Sequence, residues 1–139
     1  MGHNGAQRSA NGYAVITPRE RAARSALTIA GVILVSLAAA QPLLSGRLPW
    51  AADTLIHLYR LVELDHLLRQ GYVFSRWAPD LAYGFGFPLF NFYAPLSYYA
   101  AEMFRLIGMD FSPALLATFV AFFVGAGLSM YLWTAEIFG

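Results

Sequence analysis

Two stretches of this chain run without a charged side chain for about as long as a bilayer is thick, and they bracket most of the remaining sequence. No charge falls between Arg24 and Arg47, where residues 26–44 read ALTIAGVILVSLAAAQPLL, and none falls between Pro113 and Ala135. A helix rises about 1.5 Å per residue, so roughly 20 apolar residues cross a hydrocarbon core of about 30 Å. Helix is the form such a run takes in lipid, because each backbone N–H and C=O must be satisfied within its own segment. The expected fold is all-α membrane. Two transmembrane helices, over 26–45 and 113–135, flank an extracytoplasmic loop over 46–112 that carries two juxtamembrane amphipathic helices.

Arginine placement sets the orientation. Residues 1–25 hold Arg8, Arg19, Arg21 and Arg24 against Glu20, whereas residues 45–112 hold five Arg against six acids. The positive-inside rule then puts the N-terminus in the cytoplasm and the central loop outside the cytoplasmic membrane. Glu136 stands where a basic residue would be expected after the second run. The first run also has the marks of a secretory signal, with Ala38-Ala39-Ala40 as a cleavage motif. Against cleavage, the tail before the run is long, and apolar residues continue past that site through Pro42, Leu43 and Leu44.

Residues 1–25 are rich in Gly, Asn, Ala and Arg without periodicity and read as a disordered cytoplasmic tail. Met1-Gly2 is not a myristoylation signal, since position 6 is Ala rather than Ser or Thr. The chain is 58% hydrophobic and 16% aromatic with a net charge of +1, which leaves no basic field for nucleic acid. It has no cysteine, which excludes thiolate metal sites and thiol nucleophiles.

Residues 53–70 (DTLIHLYRLVELDHLLRQ) space their apolar side chains as an amphipathic helix, with Gly71 as its stop. Pro49 and Trp50 precede it, and Trp favours the headgroup level, so this helix is expected along the outer interface. At 100° per residue Tyr59, Glu63, His66 and Gln70 share one face, expected to be solvated. Asp53, His57 and Arg60 share another that continues as Leu64, Leu67 and Leu68, a polar site at one end of a buried surface. Asp53 reads either as the N-cap or as a functional carboxylate; His57 and Arg60 either neutralise it or bind with it. A carboxylate that holds a divalent cation on a phosphate substrate is one role open to Asp53.

Residues 76–99 (RWAPDLAYGFGFPLFNFYAPLSYY) crowd aromatic rings around Gly84, Gly86, Pro88 and Pro95, which breaks helices and predicts an irregular interfacial segment. Flat rings and accessible glycine backbone there suit a sugar or lipid headgroup. A second juxtamembrane helix is expected near 95–107, ended by Gly108. In the last run Ala117, Ala121, Gly125 and Ser129 recur every fourth residue, a strip on which further transmembrane helices can pack closely.

The order Asp53-x3-His57-x2-Arg60, Arg76-Trp77-x-Pro79, Gly84-Phe85-Gly86-Phe87-Pro88 and Phe92-Tyr93-x-Pro95-Leu96-x-Tyr98-Tyr99 resembles the start of bacterial polytopic glycosyltransferases of the C class (GT-C). The similarity is greatest to the branch labelled 6-pyruvoyl-tetrahydropterin synthase-related, and it covers residues 27–139. The resemblance implies an N-terminal fragment of a longer, many-helix enzyme that takes sugar from a polyprenyl-phosphate donor. It implies that Asp53, the acid just after the first helix, is catalytic. The expected substrate-binding residues are His57, Arg60, Arg76, Trp77, Asp80, Tyr93 and Tyr98, the partners are the lipid bilayer and the lipid-linked sugar, and a divalent cation is the one cofactor in view. Such families pair two acids, but here Thr54 follows Asp53, which leaves Asp80 or Glu102 for the second. The alternative is a non-catalytic two-helix membrane interaction or assembly protein, resting on the small-residue strip. A transporter subunit is a weaker reading, since neither run carries an intramembrane charge.

Overall fold

A computed structural model of the chain describes residues 17–49 and 51–138. The described residues form six helices: α1 (Pro18–Ala39), α2 (Gln41–Leu44), α3 (Ala52–Arg69), α4 (Leu89–Phe92), α5 (Leu96–Leu106) and α6 (Phe111–Phe138). Most of the expected tail and Trp50 lie outside them.

α1 begins eight residues before the apolar run. Thr17 accepts from the Glu20 backbone at 3.3 Å, and the Glu20 carboxylate accepts from the Thr17 backbone N–H at 2.9 Å. This capping box, with Pro18 in the first helical position, starts the helix inside the segment expected to be disordered. Arg19, Arg21 and Arg24 therefore sit on helix rather than on tail. At the other end the helix stops at Ala39 and turns through a buried Ala40 into the short α2, so the expected span over 26–45 is broken ahead of Pro42.

The two stops written into the sequence are both used. Gly71, at φ 90°, donates to the Leu68 carbonyl at 3.0 Å, and the next N–H, of Tyr72, reaches Leu67 O at 3.0 Å. Gly108, at φ 95°, does the same with Arg105, and Met109 N–H bonds Phe104 O. These are Schellman motifs that satisfy the last carbonyls of α3 and α5. α3 starts without the expected cap: its N-cap is Ala51, and Asp53 lies inside the first turn, where its charge still complements the helix dipole.

Two helices, α1 and α6, are long and apolar enough to cross a membrane. They pack on each other where Val32 and Ser36 of α1 meet Gly127 of α6; a Cβ there would lie 2.6 Å from the Ser36 hydroxyl. Gly125 faces open space, so α1 does not pack on the small-residue strip at that position.

The core lies among α3, α4, α5 and the start of α6 rather than between α1 and α6. Leu61, Leu64 and Leu67 of α3 bury against Ala78, Leu89, Phe90, Tyr98, Ala101 and Leu115, joining α3, α4, α5 and the start of α6. Each such leucine contributes about 1.5–3 kcal/mol by leaving water. Between α3 and α4 the chain makes a narrow loop, closed where Ala78 and Phe87 exchange backbone hydrogen bonds of 2.8 and 2.9 Å. At its tip Ala82 and Tyr83 take left-handed φ angles of 54° and 61°, followed by Gly84 at 85° and Gly86 at 79°. The bend throws the Tyr83 and Phe85 rings outward, and the Trp77 indole closes over Gly86, where a Cβ would meet it at 2.5 Å.

Candidate functional site

α3 enters the site with a backbone that puts residues 53, 57 and 60 along one side, one turn apart. α5 supplies the opposing side chain. The Tyr98 ring is buried in the core with its hydroxyl at the edge of α3, 2.8 Å from His57 Nδ1 and 3.3 Å from Arg60 Nη1. A guanidinium only donates, so the Tyr98 oxygen accepts from Arg60 and its own proton is free for His57 Nδ1. In a neutral ring that arrangement leaves the imidazole proton on Nε2. Tyr93, from the segment between α4 and α5, lays its ring 3.9 Å from Arg60 Cζ. Phe90 meets the Tyr98 ring edge-on at 6.1 Å, and Phe119 of α6 meets His57 edge-on at 6.4 Å. Residues 38 and 41 positions apart in the chain are thus locked together by one phenol.

Burial works against charge on Arg60, but its contacts with Tyr98 and Tyr93 outweigh that and push its pKa above the ordinary arginine value. The cation also forms part of the wall of an apolar cavity of about 300 Å³, lined by Ile56, Tyr59, Leu81, Phe87 and Leu89. A fixed cation beside hydrocarbon walls accommodates an anion carried on an apolar chain. Asp53, one turn before His57, is exposed and makes no hydrogen bond or ion pair among the described residues.

The other expected residues fall elsewhere. Asp80 sits against the middle of α3, its carboxylate 3.8 Å from His66 and its backbone N–H 3.2 Å from Glu63 Oε1. Glu63, expected on a solvated face, is only 4% exposed; burial pushes its pKa up, and the bond from Asp80 partly offsets this. Arg76 leans over the Phe74 ring at 5.9 Å, and Trp77 belongs to the Gly86 contact. Of the seven side chains expected to bind substrate, His57, Arg60, Tyr93 and Tyr98 meet, while Arg76, Trp77 and Asp80 serve the loop.

Among the described residues no three His, Asp or Glu side chains converge as metal ligands. Asp53 is thus part of no three-ligand group among the described residues. Glu102, considered above as a second acid, is buried beside Asp65 at the far end of the α3–α5 contact instead of opening toward Asp53. Its burial had no signal in the sequence, since Glu102 and Arg105 are spaced like any solvated pair on a helix surface.

No protein-family model matches the chain, and neither a curated protein nor a solved structure does.

Proposed function

We propose that this chain contributes two spans and the outer loop between them to an integral glycosyltransferase of the cytoplasmic membrane. It would move a sugar from a polyprenyl-phosphate donor to an extracytoplasmic hydroxyl. The observation that carries the reading is Arg60, held by Tyr98 and Tyr93 at the wall of an apolar cavity. A phosphate on an isoprenoid chain has the two properties that site accommodates, an anion and adjoining hydrocarbon.

In the step, the Asp53 carboxylate takes the proton of the acceptor hydroxyl while that oxygen bonds to the anomeric carbon. The bond from the anomeric carbon to the phosphate oxygen breaks, and its electron pair leaves with the lipid phosphate. Arg60 offsets the charge that collects there, and His57, held through Nδ1, presents Nε2–H as a second donor. Support for a membrane setting comes from the side chains left outside. Leu55, Ile56 and Val62 of α3 and Leu96, Met103 and Leu106 of α5 are exposed, whereas Glu63, Asp65 and Glu102 are buried. Surfaces of that kind suit lipid or further helices rather than water.

The test is sugar transfer from a polyprenyl-phosphate donor in membranes that contain the whole protein. Asp53→Asn should abolish transfer at unchanged protein level, and Arg60→Gln should lower it by about 10²-fold or more. Transfer retained by Asp53→Asn rejects the assignment. In the assembly reading, favoured by the open space at Gly125, Asp53→Asn is silent and Gly125→Leu breaks association with a partner helix.

A further inference from the structure

At the far end of the α3–α5 contact, about two turns along α3 from His57, lies a second polar cluster that the proposed transfer does not use. Asp65 of α3 and Glu102 of α5 stand side by side, 7% and 6% exposed. Asp65 is ion-paired: Arg69 Nε lies 2.8 Å from its Oδ2 and Arg105 Nη2 lies 3.7 Å from its Oδ1. Glu102 has no such partner. Its Oε2 is buried without any hydrogen bond, and it lines a cavity of about 290 Å³ with Asp65, Leu68, Arg69 and Leu106. Arg105, on the same helix, donates through Nη1 to the Met109 carbonyl at 2.8 Å and lies over the Phe111 ring at 3.6 Å; its Nε is also buried without a hydrogen bond, so it makes none to Glu102.

An ionised carboxylate with a buried, unbonded oxygen is costly, and a second carboxylate beside it makes it more so. A proton on Glu102 removes both difficulties, because the resulting O–H can donate to Asp65. We propose that Asp65 and Glu102 form a proton-binding site in which Glu102 is the neutral donor and Asp65 the charged acceptor, clasping α3 to α5. Tyr98 lies one turn before Glu102 on α5, so the clasp also fixes how Tyr98 is presented to His57 and Arg60.

The surrounding charges agree with this division of roles. Burial pushes the Glu102 pKa up to about 7, helped by the neighbouring Asp65 carboxylate and opposed by Arg105 and Arg69. The hydrogen bond from Arg69 holds Asp65 below its usual range against its own burial, with Glu102 and Arg105 adding to the effect. The neighbouring helix α6 brings only Tyr131 and Glu136 as titratable groups, both toward its far end, and Asp110 precedes it. A carboxyl whose folded pKa is raised adds stability below its unfolded value, and that stability is lost as pH rises through the folded value. Asp65, shifted down, adds stability above its unfolded value and loses it as pH falls. The clasp is therefore firmest in mild acid and loosens toward a pH of about 7.

Infrared spectroscopy of the whole protein in lipid nanodiscs, titrated from about pH 5 to about pH 9, reads the proton directly. A protonated-carboxyl C=O band should be present in acid and disappear with a midpoint of about 7. Glu102→Gln, which keeps the shape and the hydrogen bond, should fold normally and lack the band. Asp65→Asn should move the midpoint down by about one unit, since it removes the neighbouring negative charge. Absence of the band near pH 6, its survival in Glu102→Gln, or an unmoved midpoint in Asp65→Asn each overturns the proposal.

Discussion

Tyr98 is the residue on which the candidate site turns, because its one hydroxyl fixes both a histidine and an arginine. Tyr98→Phe keeps the packed ring and removes the bond. It should lower stability by about 1–2 kcal/mol, measured as thermal unfolding in detergent, and under the proposed function transfer should fall with it. In the loop, strain and space predict opposite effects at two neighbouring positions. Gly86→Ala brings a Cβ onto the Trp77 indole at a left-handed φ and should cost about 2–3 kcal/mol and shift the Trp77 emission. Ala82→Gly relieves a left-handed alanine and should raise stability by about 1 kcal/mol in the same assay. The spacing of Asp53, His57 and Arg60 was legible in the sequence because it is a local helical repeat. That Tyr98 and Tyr93 would close on Arg60, and that Arg76, Trp77 and Asp80 would not, was illegible, because it depends on how the 70–95 segment folds back over α3.

At the scale of elements, the stops of α3 and α5 could be read directly, since a left-handed glycine after an apolar repeat has few other uses. The start of α1 was equally available in Thr17-Pro18-Arg19-Glu20, a capping box that the basic, Gly-rich and Asn-rich composition of the tail obscured. Thr17→Ala should unwind the first turn at a cost of about 1 kcal/mol, seen as faster amide exchange over residues 18–21. The two glycines of α6 differ in what they face: Gly127 meets α1 and Gly125 faces open space. Gly127→Leu should push α1 away, read as a longer distance between spin labels on the two helices, because Ser36 and Val32 occupy that space. Gly125→Leu should leave the same distance unchanged.

For the whole molecule, α3 and α5 bury three acids, Glu63, Asp65 and Glu102, beside their apolar core and leave large apolar side chains exposed, a departure from the usual soluble surface. The absence of cysteine makes the orientation simple to test. A single Ser45→Cys should react with an impermeant thiol reagent applied to intact cells, and a single Ser25→Cys should not; the reverse pattern would invert the topology.

Two long apolar helices and the glycine stops between them followed from sequence because each depends on neighbours within a few residues: charge-free length and a glycine after an apolar repeat. Which glycine receives α1, which acids are buried, and which aromatic ring meets Arg60 depended on contacts between segments dozens of residues apart. Burial is a property of those contacts, so Glu63 and Glu102, spaced like surface residues, could be told from them only once α3, α5 and the loop had packed.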